Sequence, residues 1–320
     1  MVEKRVSVME KQHYGGLEIL KLVMSLMVVG IHTNPFASLP MLNALSSNGI
    51  FRIAVPVFFV MNGYFLSLER DKFLPWLRRI VVLYLLLSLL FSPLWLDLRS
   101  VADCLASIAL NLATGWHHLW YLAALILAAC LAYLGRSHLR WLLPLSLLLF
   151  LGGVALQAVA LWNGNAFARS IHGQFDLYRN GFTVALPFLL VGMALRRRDP
   201  QERVSWLVLV MVLAVFVAEI LLWDRLWGHQ TRDLYASLIV VAPVLFLAAR
   251  QVRMAYRDQM SARIYYFHPI FEMAFKLNGK FGGGKVFLVT AALSVLLAYA
   301  IGKLKGMQAA GRLRWVRLIP

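Results

Sequence analysis

Ionisable side chains are scarce in this chain of 320 residues: only 15% are Asp, Glu, Lys or Arg, while 61% are hydrophobic. With a mean hydropathy of +0.70, that excludes an ordinary soluble domain, which carries charge on about a quarter of its residues. Cysteine is nearly absent. Cys104 and Cys130 have no metal-like spacing, and the second falls in an apolar run, so neither a disulfide framework nor a cysteine site is supported. No GxxxxGK[ST] phosphate loop, GxGxxG turn or HExxH helix occurs. Residues 281–285, FGGGK, lack the flanking strand and helix of a nucleotide loop and read as a turn. His117 and His118 are adjacent rather than four apart, so no metal is expected. Acidic residues number 15 against 32 Lys and Arg, a net charge of +17. The basic residues sit in short clusters between apolar runs, which encodes membrane topology rather than nucleic-acid binding.

What remains is a series of apolar runs. Ten spans are expected, at about 17–33, 50–68, 74–95, 118–135, 141–162, 181–195, 204–223, 233–250, 262–278 and 285–303. They predict an all-α, polytopic membrane helix bundle, with basic tails over 1–16 and 305–320 flanking one membrane domain over 17–304. Placing both termini in the cytoplasm puts 22 of the Lys and Arg residues on the inner side and nine on the outer, as the positive-inside rule requires. The first run holds Glu18 and Lys21 and is followed by no small-residue cleavage site, so it reads as a retained span rather than a signal peptide.

That first span carries charge where a membrane helix should have none. At 100° per residue Glu18, Lys21, Ser25, Val28 and His32 share one face, with Lys21 and His32 about 20° apart. A charged residue at the centre of a span costs about 2.5–3.5 kcal/mol on insertion scales, so this stripe predicts a protein-lined, partly wet cavity. Residues 33–49 either cap that cavity or simply connect two spans.

Further polar residues fall at the same outer level. Arg52 opens the second span, which continues through Pro56, Asn62 and Gly63; it binds an anion or oxyanion, or else snorkels to headgroups. Pro56 is expected to free a carbonyl and kink the helix toward a polar lumen. His117, His118, Trp120 and Tyr121 open the fourth span as cavity or interface residues. Arg179 and Asn180 precede the sixth, and topology gathers Arg52, His118 and Arg179 near His32. In the ninth span His268, Glu272 and Lys276 recur every four residues. Either His268 lines a cytoplasmic entrance to the cavity, with Glu272 neutralising it or Lys276, or the three form a structural ladder of buried pairs around the kink at Pro269. Glu219 in the seventh span reads as a lone buried carboxyl and a structural partner.

These residues resemble the acyltransferase family 3 membrane proteins over nearly the whole chain. The carriers are Glu18-x-x-Lys21 with His32 eleven residues on, RxxxPxFFxxxGY from Arg52 to Tyr64, HLWYL at 118–122, RNG at 179–181 and IYYFHP at 264–269. Size and layout are similar to the branch that includes the enterobacterial common antigen O-acetyltransferase. Lys21 stands where the family usually has arginine, Glu18 where it has aspartate and Asn62 where it commonly has serine; lysine lacks the planar fork of arginine. The resemblance implies a bacterial inner-membrane protein that moves an acyl group, most often acetyl, from cytoplasmic acyl-CoA to a hydroxyl of a saccharide or lipid-linked glycan. Carried over, His32 is the general base, Lys21 and Glu18 orient the donor or pair, and Arg52 faces the oxyanion. His118, Trp120, Arg179, Asn180, Asn62, Tyr64 and His268 contact substrate, and Arg78, Arg79, Arg196 and Arg197 meet the CoA phosphates. The same fold also resembles the membrane part of serine-racemase-type proteins, which implies an amino-acid-like transporter as the rival. A non-catalytic membrane scaffold is the second rival.

Overall fold

The protein was analysed as a computed structural model, which describes residues 14–162, 164, 166–198, 203–256, 258, 260–277 and 283–309. The expected basic tails therefore lie largely outside the described residues. Eleven longer helices run in order: α1 Gly15–Thr33, α2 Ala54–Phe65, α3 Arg70–Leu90, α4 Val101–Thr114, α5 Trp120–Leu134, α6 Leu139–Trp162, α7 Leu186–Arg198, α8 Trp206–Trp227, α9 Leu238–Gln251, α10 Ser261–Leu277 and α11 Gly283–Ala309. The described residues form no strand, and the all-α expectation holds.

Among the described residues, seven helical segments are long and apolar enough to cross a membrane: Gly15–Thr33, Pro40–Phe65, Arg70–Leu90, His117–Leu134, Leu139–Trp162, Trp206–Trp227 and Gly283–Leu304. Large apolar side chains such as Leu89, Leu148, Val215 and Leu296 stand exposed on them, which suits a hydrocarbon solvent and not water. The chain is a multi-pass membrane protein. The other three expected spans are helices below that length. Of these, α9 begins only at Leu238, because residues 233–237 are held as a link. Asp233 and Leu234 donate their N–H groups to Gln157 Oε1 at 2.8 and 2.9 Å. Glu219 accepts from the Ala236 and Ser237 N–H groups at 2.7 and 2.8 Å. Glu219 is thus the expected structural partner, here of the positive N-terminal end of α9.

Helix α4 was not expected as an element. Ser100 caps it by accepting from the Asp103 N–H at 3.1 Å, and Gly115 ends it at φ 77°. Pro56 does not kink a helix. A 3-10 turn over Ile50–Ile53 leads into α2 and puts Pro56 in the first turn, where a missing N–H breaks no intrahelical bond. Residues 33–49 form a short helix, Pro40–Leu45, and a buried return through Ser47 and Asn48.

Helix direction follows from contacts at both ends of α1. At its start Glu18 accepts from the Asp258 N–H just before α10, and at its end the His32 carbonyl accepts from Lys276 Nζ at 2.7 Å near the end of α10. The two helices therefore run parallel. At the centre, α2 and α7 meet backbone to backbone: a Cβ on Gly63 would strike the Leu189 carbonyl, and one on Gly192 the Val60 carbonyl. Small residues permit this approach, on which association between helices in lipid depends. Replacing Gly63 with Ala should lower stability by about 1–3 kcal/mol through overpacking, read as thermal unfolding in detergent. The matching change at Gly152, which has open space around it, should be neutral or stabilising.

Candidate active site

His32 lies in the last turn of α1, half-buried, where Asn34 ends the helix in the left-handed region at φ 46°. Its ring stacks on His117, with centroids 4.3 Å apart, and lies 5.2 Å from the ring of His268. His117 and His118 come from a 3-10 turn, His117–Leu119, that leads into α5. His117 itself sits at φ 51°, a conformation that costs energy for a residue with a Cβ and persists only when its surroundings fix it. Here they do: the Trp116 N–H donates to Asn111 Oδ1 at 2.8 Å, and Tyr84 of α3 donates its hydroxyl hydrogen to the Asn111 carbonyl.

His268 owes its orientation to the next residue. Pro269 has no N–H, so the Tyr265 carbonyl four residues earlier loses its helical partner, and His268 Nδ1 takes it at 2.9 Å. A carbonyl only accepts, so Nδ1 carries the proton and Nε2 is left as an acceptor; it is buried with no hydrogen-bond partner among the described residues. His268 therefore sits at the His32 end of the bundle, whereas one of the sequence expectations had it at an entrance away from His32.

Beside the histidines lies an ion cluster. Arg52 NH1 pairs with Asp233 Oδ1, Arg179 NH1 lies 3.3 Å from Asp233 Oδ2, and Arg52 Nε donates to the Ser47 carbonyl at 2.8 Å. Burial alone would raise the Asp233 carboxyl, but Arg179 and Arg52 outweigh it and hold the group below the ordinary carboxylate range. Arg179 also stacks over Trp120, 5.0 Å from the ring centre. A cavity of about 40 Å³ lies among His32, Arg52, His118, Trp120, Arg179, Asp233 and Tyr265. It has room for about three water-sized groups. The expected gathering of Arg52, His118 and Arg179 around His32 is thus present in the geometry, together with His117, which the sequence placed beside His118, and Asp233, which was not singled out.

The other candidate residues stand elsewhere. Lys21 Nζ pairs with Glu18 at 2.8 Å, about 16 Å along α1 from His32 by helical rise. The pair opens on a separate pocket of about 360 Å³ with Phe58, Asn62 and Phe65. Between the two pockets Phe58, Tyr121 and Tyr265 pack ring to ring, with centroids 5.5–6.3 Å apart. Asn62 donates to the Tyr121 hydroxyl at 2.7 Å, and the Tyr265 hydroxyl donates to the His118 carbonyl at 2.5 Å. Tyr64 lies under Arg250, 5.2 Å from its ring centre. Asn180 is committed to capping, since its Oδ1 accepts from the Phe182 and Thr183 N–H groups at 2.9 and 3.1 Å. Arg78 and Arg79 are exposed on α3; at the end of α7, Arg196 donates to the Leu66 carbonyl at 3.1 Å and Arg197 is exposed. The signal for Asp233 was the scarcity of acids, which leaves few partners for Arg52 and Arg179.

The sequence profile of an acyltransferase domain matches residues 14–303. Among curated proteins, a serine/alanine racemase of Enterococcus gallinarum is 27% identical over 226 residues, which is 62% of this chain and 32% of the relative. An amino-acid racemase of Enterococcus faecalis is 27% identical over 293 residues, 81% of this chain and 41% of the relative. The chain thus spans less than half the length of these relatives. No solved structure matches.

Asp233→Ala should destabilise the purified protein by about 3–5 kcal/mol, because two guanidiniums lose their shared carboxylate. The sign with pH follows from the lowered Asp233 value. Its contribution is complete above about pH 4 and is lost as pH falls through the folded value, so Asp233→Asn should flatten the acid limb of thermal stability.

Proposed function

The chain belongs to the acyltransferase family 3 membrane proteins, and from that premise we propose that it transfers an acyl group, most simply acetyl, from acyl-CoA to a hydroxyl of a cell-envelope saccharide or glycolipid. The observation that supports this reading best is a half-buried imidazole beside two arginines in a cavity with room for little beyond a reacting carbonyl and hydroxyl. In this scheme His32 removes the hydroxyl proton as the oxygen attacks the thioester carbonyl. Arg52 and Arg179, both on the cavity wall, face the negative oxygen of the tetrahedral intermediate. Collapse expels the CoA thiolate, which takes the proton back from the imidazolium, and the ester leaves.

The proposed topology has ten passes with both termini in the cytoplasm of a bacterial inner membrane. It puts Arg78, Arg79, Arg196 and Arg197 on the side where acyl-CoA is found, with the CoA phosphates near them. The Glu18–Lys21 pocket then lies on the donor's route. The thioester reaches His32 once the Phe58, Tyr121 and Tyr265 rings part. Acceptor contacts fall to His118, Trp120 and Arg179 at the outer cavity.

A second reading is favoured by the names of the racemase relatives and by the Glu18–Lys21 pair, whose opposite charges match a zwitterion: an amino-acid-like transporter of the same fold. Purified protein given labelled acetyl-CoA separates the two, because a transporter neither binds nor consumes it. Under the acyl-transfer reading His32→Ala should abolish label transfer while the variant still inserts into membrane. Turnover retained in that variant would remove His32 from the proposed role.

A further inference from the structure

We propose that His32, His117 and Glu272 form a binding site for one divalent transition ion of the zinc class, with Lys276 as its internal competitor. The three donors come from the last turn of α1, the turn before α5 and the middle of α10. No spacing in the sequence displays them, yet their ligand atoms all lie within 4.8 Å of one another. Zinc holds nitrogen and oxygen ligands at about 2.0–2.2 Å, which sets them about 3.3 Å apart in a tetrahedron. Rotation of the stacked His32 and His117 rings out of parallel supplies the closure.

The local accounting of polar atoms also points to a cation. Glu272 is fully buried, and its Oε2 has no hydrogen-bond partner among the described residues. The other carboxylate oxygen lies 3.7 Å from His117 Nε2 and 2.8 Å from Lys276 Nζ. That ammonium also donates to the His32 carbonyl at 2.7 Å and sits on a side chain 51% exposed; ion binding requires it to leave the carboxylate. Two imidazoles and one carboxylate suit zinc, whereas calcium and magnesium take oxygen alone and copper(I) prefers thiolates. With three protein donors a fourth position stays open. A bound ion would occupy the His32 imidazole and suppress transfer. That consequence rests on the acyl-transfer reading, whereas the binding itself does not.

Titration of the purified full chain in detergent with Co²⁺, followed through the absorption of tetrahedral cobalt and displaced by Zn²⁺, tests the site. One ion per chain is expected. Glu272→Gln and His117→Ala should weaken binding by about 100-fold or more. Lys276→Met should tighten it about fivefold, by removing the competing charge, an effect that poor folding cannot imitate. The proposal is overturned if the wild-type chain gives no tetrahedral band, if Glu272→Gln binds as well as wild type, or if Lys276→Met binds no tighter. Cobalt bound as expected by a chain that transfers no acyl group would sustain the site and remove the acyl-transfer reading alone.

Discussion

The His32 end of this molecule depends on one buried carboxylate. Asp233 lies between Arg52 and Arg179, and each of the three comes from a segment that is not a membrane-length helix on its own: the 3-10 turn before α2, the connection between α6 and α7, and the link between α8 and α9. Removing one member of a buried ion cluster leaves uncompensated charge, which costs far more than the intact cluster contributes. The cluster therefore fixes where those connections can lie. Gln157 adds to this by accepting from the Asp233 and Leu234 N–H groups and donating a hydrogen bond to the Leu234 carbonyl at 2.8 Å. Two guanidiniums against one carboxylate leave the cavity wall with a net positive charge, beside His32.

Away from that cavity, cohesion has a different origin. Lipid chains are as apolar as leucine, so burial of apolar side chains gives helices little reason to associate, and close van der Waals packing must supply it. The α2–α7 contact at Gly63 and Gly192 is of this kind, and so is the start of α1, where Gly16 lies against the Ala249 carbonyl and Gly15 against that of Met254. Charge thus positions the connections around His32, and small residues position the helices beneath it.

This division explains what the sequence displayed. Apolar runs of span length are written in consecutive residues, so nearly every long helix was legible. Helix α4 was not, because at 14 residues, with Asp103, Ser107 and Asn111 in it, it has neither the length nor the uniform apolarity of a span. The site was legible where topology alone brings residues to one level, as for His32, Arg52, His118 and Arg179. Asp233 pairs with Arg52 across 181 positions, and Glu272 and His117 meet across the bundle; neither partnership has a local signature. The polar stripe of α1 was real as a helical face but misleading as a single cavity, since Phe58 and Tyr265 pack across its middle and divide it in two.

That division bears on the choice between transfer and transport. The ring layer is held by the Asn62–Tyr121 and Tyr265–His118 hydrogen bonds, each worth about 1 kcal/mol net, and by the packing of the buried Phe58, Tyr121 and Tyr265 rings on one another. What must pass differs between the two readings. A transporter has to move its whole solute through the layer and out past His32, through a cavity of about 40 Å³. A transferase needs only a slender thioester arm to cross, because the acceptor arrives from the other side and the two meet within the small space. A narrow chamber beside an imidazole and two arginines is suited to holding a carbonyl and a hydroxyl at reacting distance, and poorly suited to passing a whole zwitterion. Under the acyl-transfer proposal the small cavity holds only the reacting groups, whereas the transporter reading requires it to widen to the size of its solute.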